Sequence, residues 1–153
     1  MHNPLPAAFT LPDGVAAAFN ERTFYPAFRS DLANARESII IVSPFATGRG
    51  TRRWVDLLRE ARNRNVRVCV ITLPPEEPRG DILVAALRDL GATVDTRAQM
   101  HEKIAILDGH ILWHGSLNIL SHRDTHESML RIDSPTACQQ IGRFVNVPTN
   151  QHG

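Results

Sequence analysis

The chain has only one lysine and two cysteines, and it contains no apolar run long enough to cross a membrane. Two cysteines, one in the apolar run VRVCVIT and one in a predicted late helix, make no disulfide framework. Cys69 and Cys138 are therefore expected to be reduced and buried. The first residues lack a cationic region and are interrupted by prolines, which is not the pattern of a signal peptide. The sequence predicts a cytoplasmic protein that does not enter a membrane.

Neither sign of charge dominates the chain as a whole. The net charge is +1, and 42% of the 153 residues are hydrophobic against 22% that are charged. This composition supplies enough apolar side chains for the core of one domain, and it creates no overall field that would identify a partner. Recognition of a partner must therefore come from local groups of residues.

One such group is an arginine-rich stretch over residues 49–67. It holds seven arginines against two acidic residues, a local excess of five positive charges. In one interpretation Arg52 and Arg53 bind nucleic-acid phosphates, with Trp54 stacking beside them. In the other interpretation the arginines form a solvated helix face and Trp54 packs inward. The two interpretations carry equal weight for the arginines, although Trp54 itself is expected in the core.

Strand and helix patterns alternate along the middle of the chain. Helices are predicted over residues 23–36, over residues 51–64 with Thr51 as N-cap, and over residues 82–90. A hairpin, a strand at ESMLRI and a last helix that begins at Ser134-Pro135 follow. This order predicts an α/β fold, with a mixed, mostly β-sheet core flanked by helices on both faces, in a single domain.

We expect the folded domain to occupy residues 21–146. Prolines and Gly14 break any regular pattern before it, so residues 1–20 are expected to form a linker or an N-terminal arm. Residues 147–153, VPTNQHG, are expected to form a flexible tail.

The stretch richest in functional groups is residues 101–118, HEKIAILDGHILWHGSLN. The Asp-Gly pair at its centre lies between two apolar runs, which predicts a two-residue β-hairpin turn. Pairing outward from that turn sets Lys103 against His114. It also sets His101 against Ser116, so these four side chains would share one face of the hairpin.

That face would carry the groups that phosphate chemistry needs. An imidazole can attack phosphorus or move a proton near neutral pH. The ammonium of Lys103, the hydroxyl of Ser116 and the amide of Asn118 can hold phosphoryl oxygens as charge builds in a transition state. Because Lys103 is the only lysine beside sixteen arginines, a compact point charge is indicated at this position.

At these positions the sequence resembles the phospholipase D superfamily. The pattern HxKxxxxD, followed after six intervening residues by GSxN, reproduces the motif of that family with six identities at fixed spacing. The six residues are His101, Lys103, Asp108, Gly115, Ser116 and Asn118. The resemblance, extended over about residues 20–145, implies the mixed α/β fold of the family. An ordinary buried hairpin that carries these residues by chance is the alternative.

The resemblance also implies what each residue does. His101 would attack a phosphodiester to form a phosphohistidine, while a second histidine protonates the leaving oxygen and later activates water. Lys103 and Asn118 would bind the phosphate, with Ser116 close to it. Glu127 would orient the imidazole through a hydrogen bond. His114 is expected to contact the phosphate from further away or to be a satisfied core group.

The remaining motif residues, Asp108 and Gly115, are expected to be structural, with the aspartate forming the turn. The family's scheme requires no metal and no other cofactor. His122 and His126 are four residues apart, but that spacing fits no compact set of metal ligands. We therefore expect no metal site.

The chemistry needs two such motifs, and this chain holds one. No other HxK occurs, and 153 residues make one domain. A two-fold homodimer would bring His101 of each copy to one shared site on the axis. The alternative is that this sequence is one half of a longer polypeptide.

The resemblance implies a nuclease whose partner is nucleic acid, with DNA favoured over RNA. Similar modules are attached to DNA helicases, so a helicase or ATPase domain in a longer parent chain is a candidate partner. A lipid phosphodiesterase is a weaker alternative, because no membrane-binding element is evident. A non-catalytic module for nucleic-acid binding or dimerisation in a larger DNA-processing protein is an alternative of another class.

Overall fold

The computed structural model describes residues 15–74, 79–121 and 125–147. Within them the chain forms seven strands and four helices. The strands are β1 (Val15–Asn20), β2 (Ser38–Val42), β3 (Arg67–Thr72), β4 (Thr93–Thr96), β5 (Ile104–Leu107), β6 (Ile111–Gly115) and β7 (Ser128–Asp133). The helices are α1 (Phe24–Asn34), α2 (Gly48–Asn63), α3 (Arg79–Asp89) and α4 (Pro135–Val145).

The strands form one mixed sheet in the order β1-β7-β6-β5-β2-β3-β4. β2, β3 and β4 run parallel, because each is joined to the next by a crossover helix. The other neighbouring pairs are antiparallel. The mixed α/β sheet predicted from the sequence is confirmed.

Helices cover both faces of this sheet, as predicted. On one face α1, α2 and α3 pack against the strands, and the side chains of Phe28 and Trp54 are fully buried there. On the other face α4 packs over Ile106 through Ala137 and Cys138. Every residue of β2 is buried, since this central strand is covered from both sides. Truncating a buried aromatic side chain of this size costs about 3–5 kcal/mol, so Phe28 and Trp54 anchor the first face.

The composition led to expectations about the two cysteines and about membrane-spanning segments. Neither cysteine forms a disulfide, with Cys138 buried and Cys69 half-buried, and burial raises the pKa of the Cys69 thiol. None of the four helices in the described ranges has the length and apolar character needed to span a bilayer.

The expected boundaries need correction at both ends and at one helix. The arm expected over residues 1–20 is wrong from Val15 onward, because residues 15–20 form β1 by pairing with the open edge of β7. Val147, expected in the tail, is buried in the core beside α4. The remaining parts of that arm and tail lie outside the described residues. Thr47, and not Thr51, caps α2, since its side chain accepts from the Gly50 N–H.

The predicted hairpin register is wrong by one residue. Asp108 and Gly109 do adopt the positive φ of a turn, at 54° and 68°. However, the ladder pairs Leu107 with Ile111, so His110 adds a third residue to the loop. His114 therefore pairs with Ile104 and not with Lys103. A shift of one residue exchanges the faces of a strand, which puts His114 on the sheet face that carries α4.

Candidate active site

Five residues singled out from the sequence, which we call the strand-end cluster, lie at the ends of three neighbouring strands. Two precede β5, two follow β6 and one precedes β7, in the order His101, Lys103, Ser116, Asn118 and Glu127. Because β5, β6 and β7 are antiparallel neighbours, the start of β5, the end of β6 and the start of β7 meet at one end of the sheet. The topology thus gathers an imidazole, an ammonium, a hydroxyl, an amide and a carboxylate at a single sheet end.

Gly115 allows these strand ends to approach closely. Its N–H donates to the carbonyl oxygen of Lys103 at 3.3 Å, and the Ser116 N–H donates to the carbonyl oxygen of Ser128 at 3.0 Å. A Cβ atom at Gly115 would lie 2.1 Å from the Ser128 oxygen. Only glycine fits such a backbone approach, so the structure gives this motif residue a packing role.

The carboxylate of Glu127 lies beside Ser116. One of its oxygens accepts from the Ser116 hydroxyl, and the other accepts from the Thr125 hydroxyl at 2.6 Å. The Glu127 N–H donates to the carboxylate of Glu21 at 3.1 Å. That backbone hydrogen bond is the main cause that holds the pKa of Glu21 below its ordinary value. Sequence reasoning missed Glu21 and Thr125, because neither belongs to a motif.

His101 and Lys103 are tied to each other through the backbone. The Lys103 ammonium donates to the His101 carbonyl oxygen at 3.1 Å, and the His101 N–H donates to the side chain of Glu102 at 3.1 Å. The His101 side chain is exposed, and Lys103 is half-buried. The hydrogen bond between the His101 imidazole and Glu127 that the resemblance implies is not formed between these two described residues. The imidazole faces solvent at the same end of the sheet.

The segment that carries Asn118 is held against the start of α2. The Trp54 indole N–H donates to the Ile119 oxygen at 2.9 Å, and the Thr47 N–H donates to the Leu120 oxygen at 2.8 Å. A Cβ atom at Gly50 would lie 2.5 Å from that Leu120 oxygen, so α2 contacts this backbone directly. Trp54 is fully buried, as expected, and its hydrogen bond makes it a support for the segment.

The Asn118 side chain turns inward from this segment. Its Oδ1 atom is buried and has no hydrogen-bond partner among the described residues. Buried polar atoms without partners are rare in folded proteins, and each calls for an explanation. Asn118 lines a small cavity together with Tyr25, Ser121 and Glu127. The unpaired amide oxygen is thus part of the same strand-end cluster as the carboxylate.

Arg53 lies next to this cavity. Its guanidinium group stacks over the Tyr25 ring, 3.8 Å from the ring centroid, and Tyr25 in turn stacks on Trp54 at 5.9 Å. Tyr25 belongs to no motif, and nothing in the sequence pointed to it. Arg52 is exposed in the same first turns of α2. The structure therefore places Arg53 beside the cavity that Asn118 and Glu127 line, and Arg52 is its exposed neighbour on α2.

The other arginines of the 49–67 stretch include several with structural partners. Arg62 donates to the Val66 oxygen at 3.1 Å, and Arg64 donates to the Ala35 oxygen at 3.0 Å. Arg59 forms an exposed ion pair with an aspartate of the same helix. These arginines therefore have partners within the fold, and nucleic-acid binding by Arg52 and Arg53 stays a prediction.

Asp108 lies at the opposite end of the hairpin, away from the strand-end cluster. Its carboxylate accepts from the backbone N–H groups of Arg36, Glu37 and Ser38 at distances of 2.7–3.1 Å. These groups form the turn between α1 and β2, so Asp108 joins the hairpin to the centre of the sheet. Asp108 lies in the turn that the sequence predicted, and its carboxylate also stabilises the loop between α1 and β2.

The other histidines that the structure describes do not belong to the strand-end cluster. His114 is exposed on the α4 face and pairs with Leu130 of β7. His126 contacts the carboxylate of Glu21 at 3.3 Å, and His122 lies outside the described residues. In the part of the chain that the structure describes, no three histidine, cysteine or acidic side chains lie close enough to hold a metal ion.

A family model described as "Cardiolipin synthase, PLD-like domain", where PLD is phospholipase D, matches residues 28–146. No curated protein sequence matches the chain. The match covers most of the folded domain, including all six motif positions.

Solved structures share the fold. Nuc from Salmonella typhimurium, described as a phospholipase D family member, superposes with a TM-score of 0.73 at 17% identity, covering 87% of this chain and 92% of Nuc. NucT from Helicobacter pylori gives 0.70 at 18% identity, covering 87% and 94%. TrmBL2, described as an archaeal chromatin protein with a novel mode of DNA binding, gives 0.64 at 11% identity, covering 86% of this chain and 50% of TrmBL2. At these identities the likeness is one of fold.

Proposed function

Because the chain belongs to the phospholipase D superfamily, we propose that it is a metal-independent phosphodiesterase that cleaves DNA. The reaction passes through a covalent phosphohistidine on His101. It takes place in an active site shared by two copies of the chain. Arg52 and Arg53 bind the phosphates that flank the cleaved bond.

The observation that carries this proposal is the gathering of the five side chains of the strand-end cluster at one end of the sheet. An exposed imidazole is free to reach a phosphorus atom, whereas a buried one would not be. The neighbouring ammonium of Lys103 and the amide of Asn118 supply the donors that a transferring phosphoryl group needs. The Arg53 guanidinium lies beside the cavity that Asn118 lines, where its positive charge can bind a neighbouring phosphate of a polyanion.

The proposed reaction has two displacements. In the first, a ring nitrogen of His101 attacks phosphorus and forms a P–N bond, while the bond from phosphorus to the leaving oxygen breaks. The leaving oxygen takes a proton from the protonated His101 of a second copy. In the second, that imidazole takes a proton from water, whose oxygen attacks phosphorus and releases the first His101. Each displacement inverts the phosphorus, so the overall reaction retains configuration.

The shared site follows from the number of motifs. One HxK sequence supplies one imidazole, and the scheme needs two. A closed two-fold dimer brings the same surface of both copies together, so two exposed His101 side chains can face one phosphate. A second motif elsewhere in a longer chain, alongside a helicase or ATPase domain, would supply the same group.

Cleavage without metal tests the catalytic proposal. The purified chain is incubated with single- and double-stranded DNA in EDTA, and we expect cleavage that His101→Ala abolishes. His110→Ala is the matched control, because His110 lies at the other end of the hairpin, where it contacts Asp133 at 3.1 Å. Equal cleavage by wild type and His101→Ala would refute the assignment of His101.

Co-expression of wild-type and His101→Ala chains tests the shared site. If one site needs His101 from both copies, activity falls with the square of the wild-type fraction. If each chain acts alone, activity falls in direct proportion to that fraction. Sedimentation at low concentration should show a dimer in the first case. A strictly monomeric chain that still cleaves DNA would contradict the shared site.

A second candidate function is a non-catalytic DNA-binding module. The likeness in fold to TrmBL2, whose description names DNA binding, favours it. In the same EDTA assay this candidate predicts DNA binding that survives His101→Ala, with no cleavage by either form. A lipid phosphodiesterase would instead release headgroups from phospholipid vesicles and leave DNA intact.

A further inference from the structure

A groove of ≈ 510 Å³ opens between the first turns of α2 and α3, above the end of β3. Its floor is apolar and is formed by Val70, Val84 and Leu87. Such a volume, with an apolar floor and a few polar groups at the rim, is typical of sites for small organic groups. None of the residues proposed for catalysis lines this groove, so it is a separate feature of the surface.

The groove opens at the same end of the sheet as the candidate active site, because β3 runs parallel to β2 and β2 runs antiparallel to β5. Ser121 lines both the groove and the small cavity that contains Asn118 and Glu127. The Ser121 N–H donates to the backbone carbonyl oxygen of Asn118 at 3.0 Å, which closes a tight turn between the two positions. The groove and the small cavity thus share a wall at Ser121.

The rim of the groove carries groups that suit a nucleobase and its adjoining phosphate. The Phe45 ring is 49% exposed at the rim, although aromatic rings are usually buried. Arg79 is also exposed there, and Gly48 and Gly80 place backbone of the first turns of α2 and α3 beside it. An aromatic face offers stacking to a base of any sequence, and a cation attracts the adjoining phosphate.

We propose that this groove binds the nucleobase next to the cleaved phosphodiester, stacked on Phe45, and that the substrate is single-stranded nucleic acid. The proposal rests on the proposed function and adds the strand state and a base subsite to it. A base inside a duplex is stacked and paired on both sides. Entering the groove would require its extrusion from the helix, which costs free energy that a single strand does not lose.

Two substitutions change the groove and leave the motif residues intact. Phe45→Ala removes the stacking face. Gly48→Leu adds a side chain at the rim, where a Cβ atom meets nothing within 4 Å, and leucine favours the helix more than glycine does. Phe144→Ala is the matched control, since Phe144 is 81% exposed on α4, on the other face of the sheet.

Steady-state kinetics in EDTA use three probes: oligothymidylate, a strand of equal length with abasic residues, and bis(4-nitrophenyl) phosphate. We expect Phe45→Ala and Gly48→Leu each to raise KM for oligothymidylate by about 5- to 20-fold, the lower part of the range for base stacking on an aromatic residue. The abasic strand and bis(4-nitrophenyl) phosphate should be hydrolysed equally by all forms. Phe144→Ala should behave as wild type with every probe.

Binding measured by fluorescence anisotropy separates this proposal from the proposed function. Loss of oligothymidylate affinity in Phe45→Ala, in a chain that hydrolyses none of the probes, would support the groove and refute the nuclease. Hydrolysis by wild type, with KM and Kd of both groove variants within twofold of it, would overturn the groove and keep the nuclease. Weaker binding of Phe45→Ala to anionic phospholipid vesicles, with unchanged oligothymidylate affinity, would also overturn the groove by identifying an acyl chain as its occupant.

Discussion

Replacing Asp108 should reduce stability without touching the chemistry, although Asp108 belongs to the motif. Its Oδ1 atom accepts from three backbone N–H groups of the turn between α1 and β2, at 3.1 Å, 2.7 Å and 3.0 Å, and its Oδ2 atom shares one of those donors. The residue also adopts a left-handed backbone with φ of 54°. The hydrogen bonds stabilise the fold, and aspartate tolerates this backbone conformation better than alanine does. Both features are remote from the strand-end cluster.

The size of the effect follows from these contacts. Hydrogen bonds to a charged group contribute about 1.5–3 kcal/mol each, and for this half-buried carboxylate we take about 1 kcal/mol per donor. Asp108→Ala then loses about 3 kcal/mol from the three donors and about 1 kcal/mol more from alanine in the left-handed region. Asp108→Asn keeps one oxygen acceptor and tolerates that backbone, so it should lose only about 1–2 kcal/mol. For a chain of this size, Tm should fall by about 8–16 °C for alanine and about 2–8 °C for asparagine.

Urea unfolding monitored by the fluorescence of Trp54 and Trp113, both fully buried, measures the free energy of unfolding. Asp56→Asn is the control, because the Asp56 side chain is 88% exposed and its ion pair should contribute less than about 1 kcal/mol. DNA cleavage per folded molecule should be the same for Asp108→Asn and wild type. An Asp108→Asn chain as stable as wild type but inactive would refute the structural role.

Other substitutions test the remaining assignments. Lys103→Ala should lower kcat by about 10²–10³-fold with unchanged unfolding, as expected for one lost donor to a transition state; wild-type kcat would remove its role. Glu127→Gln weakens the hydrogen bonds from the Ser116 and Thr125 hydroxyls. It should slow cleavage by about 10- to 100-fold through misplacement of the strand ends, and full activity would make Glu127 structural only. Double charge reversal of Arg52 and Arg53 to glutamate should weaken DNA binding and reduce the slope of log K against log salt by about 2. The same double reversal at Arg36 and Arg143, both exposed and outside the strand-end cluster, is the charge-matched control. Equal effects of the two double changes would show general repulsion in place of a local contact.

Much of the site was visible in the sequence because its signals are local. The spacing from His101 to Asn118 predicts a set of groups suited to phosphate chemistry, and the alternation of strands and helices predicts the mixed sheet. The position of Trp54 among apolar residues at helical spacing predicts its burial. These features depend on residues a few positions apart, so reading along the chain is sufficient to find them.

The hairpin shows where local signals fail. An Asp-Gly turn is compatible with loops of two or three residues, and the choice depends on what the loop contacts. Here the Asp108 carboxylate binds the turn before β2, and the His110 oxygen accepts from the Ser134 N–H at 2.7 Å. Those contacts occur together with His110 as the third loop residue. The added residue places His114 on the opposite face of the sheet from the one predicted.

The sequence by itself determined which groups are available for chemistry and most of the elements that the chain forms. The tertiary structure decided how they meet, including the edge strand β1, the support of Asn118 by α2 and the contacts of Glu127. The Glu127 N–H, for example, donates to Glu21, which lies 106 residues earlier in the chain. Such contacts are set when strand ends come together in a compact sheet, because hydrogen bonding and close packing depend on distance in space and not on separation along the chain.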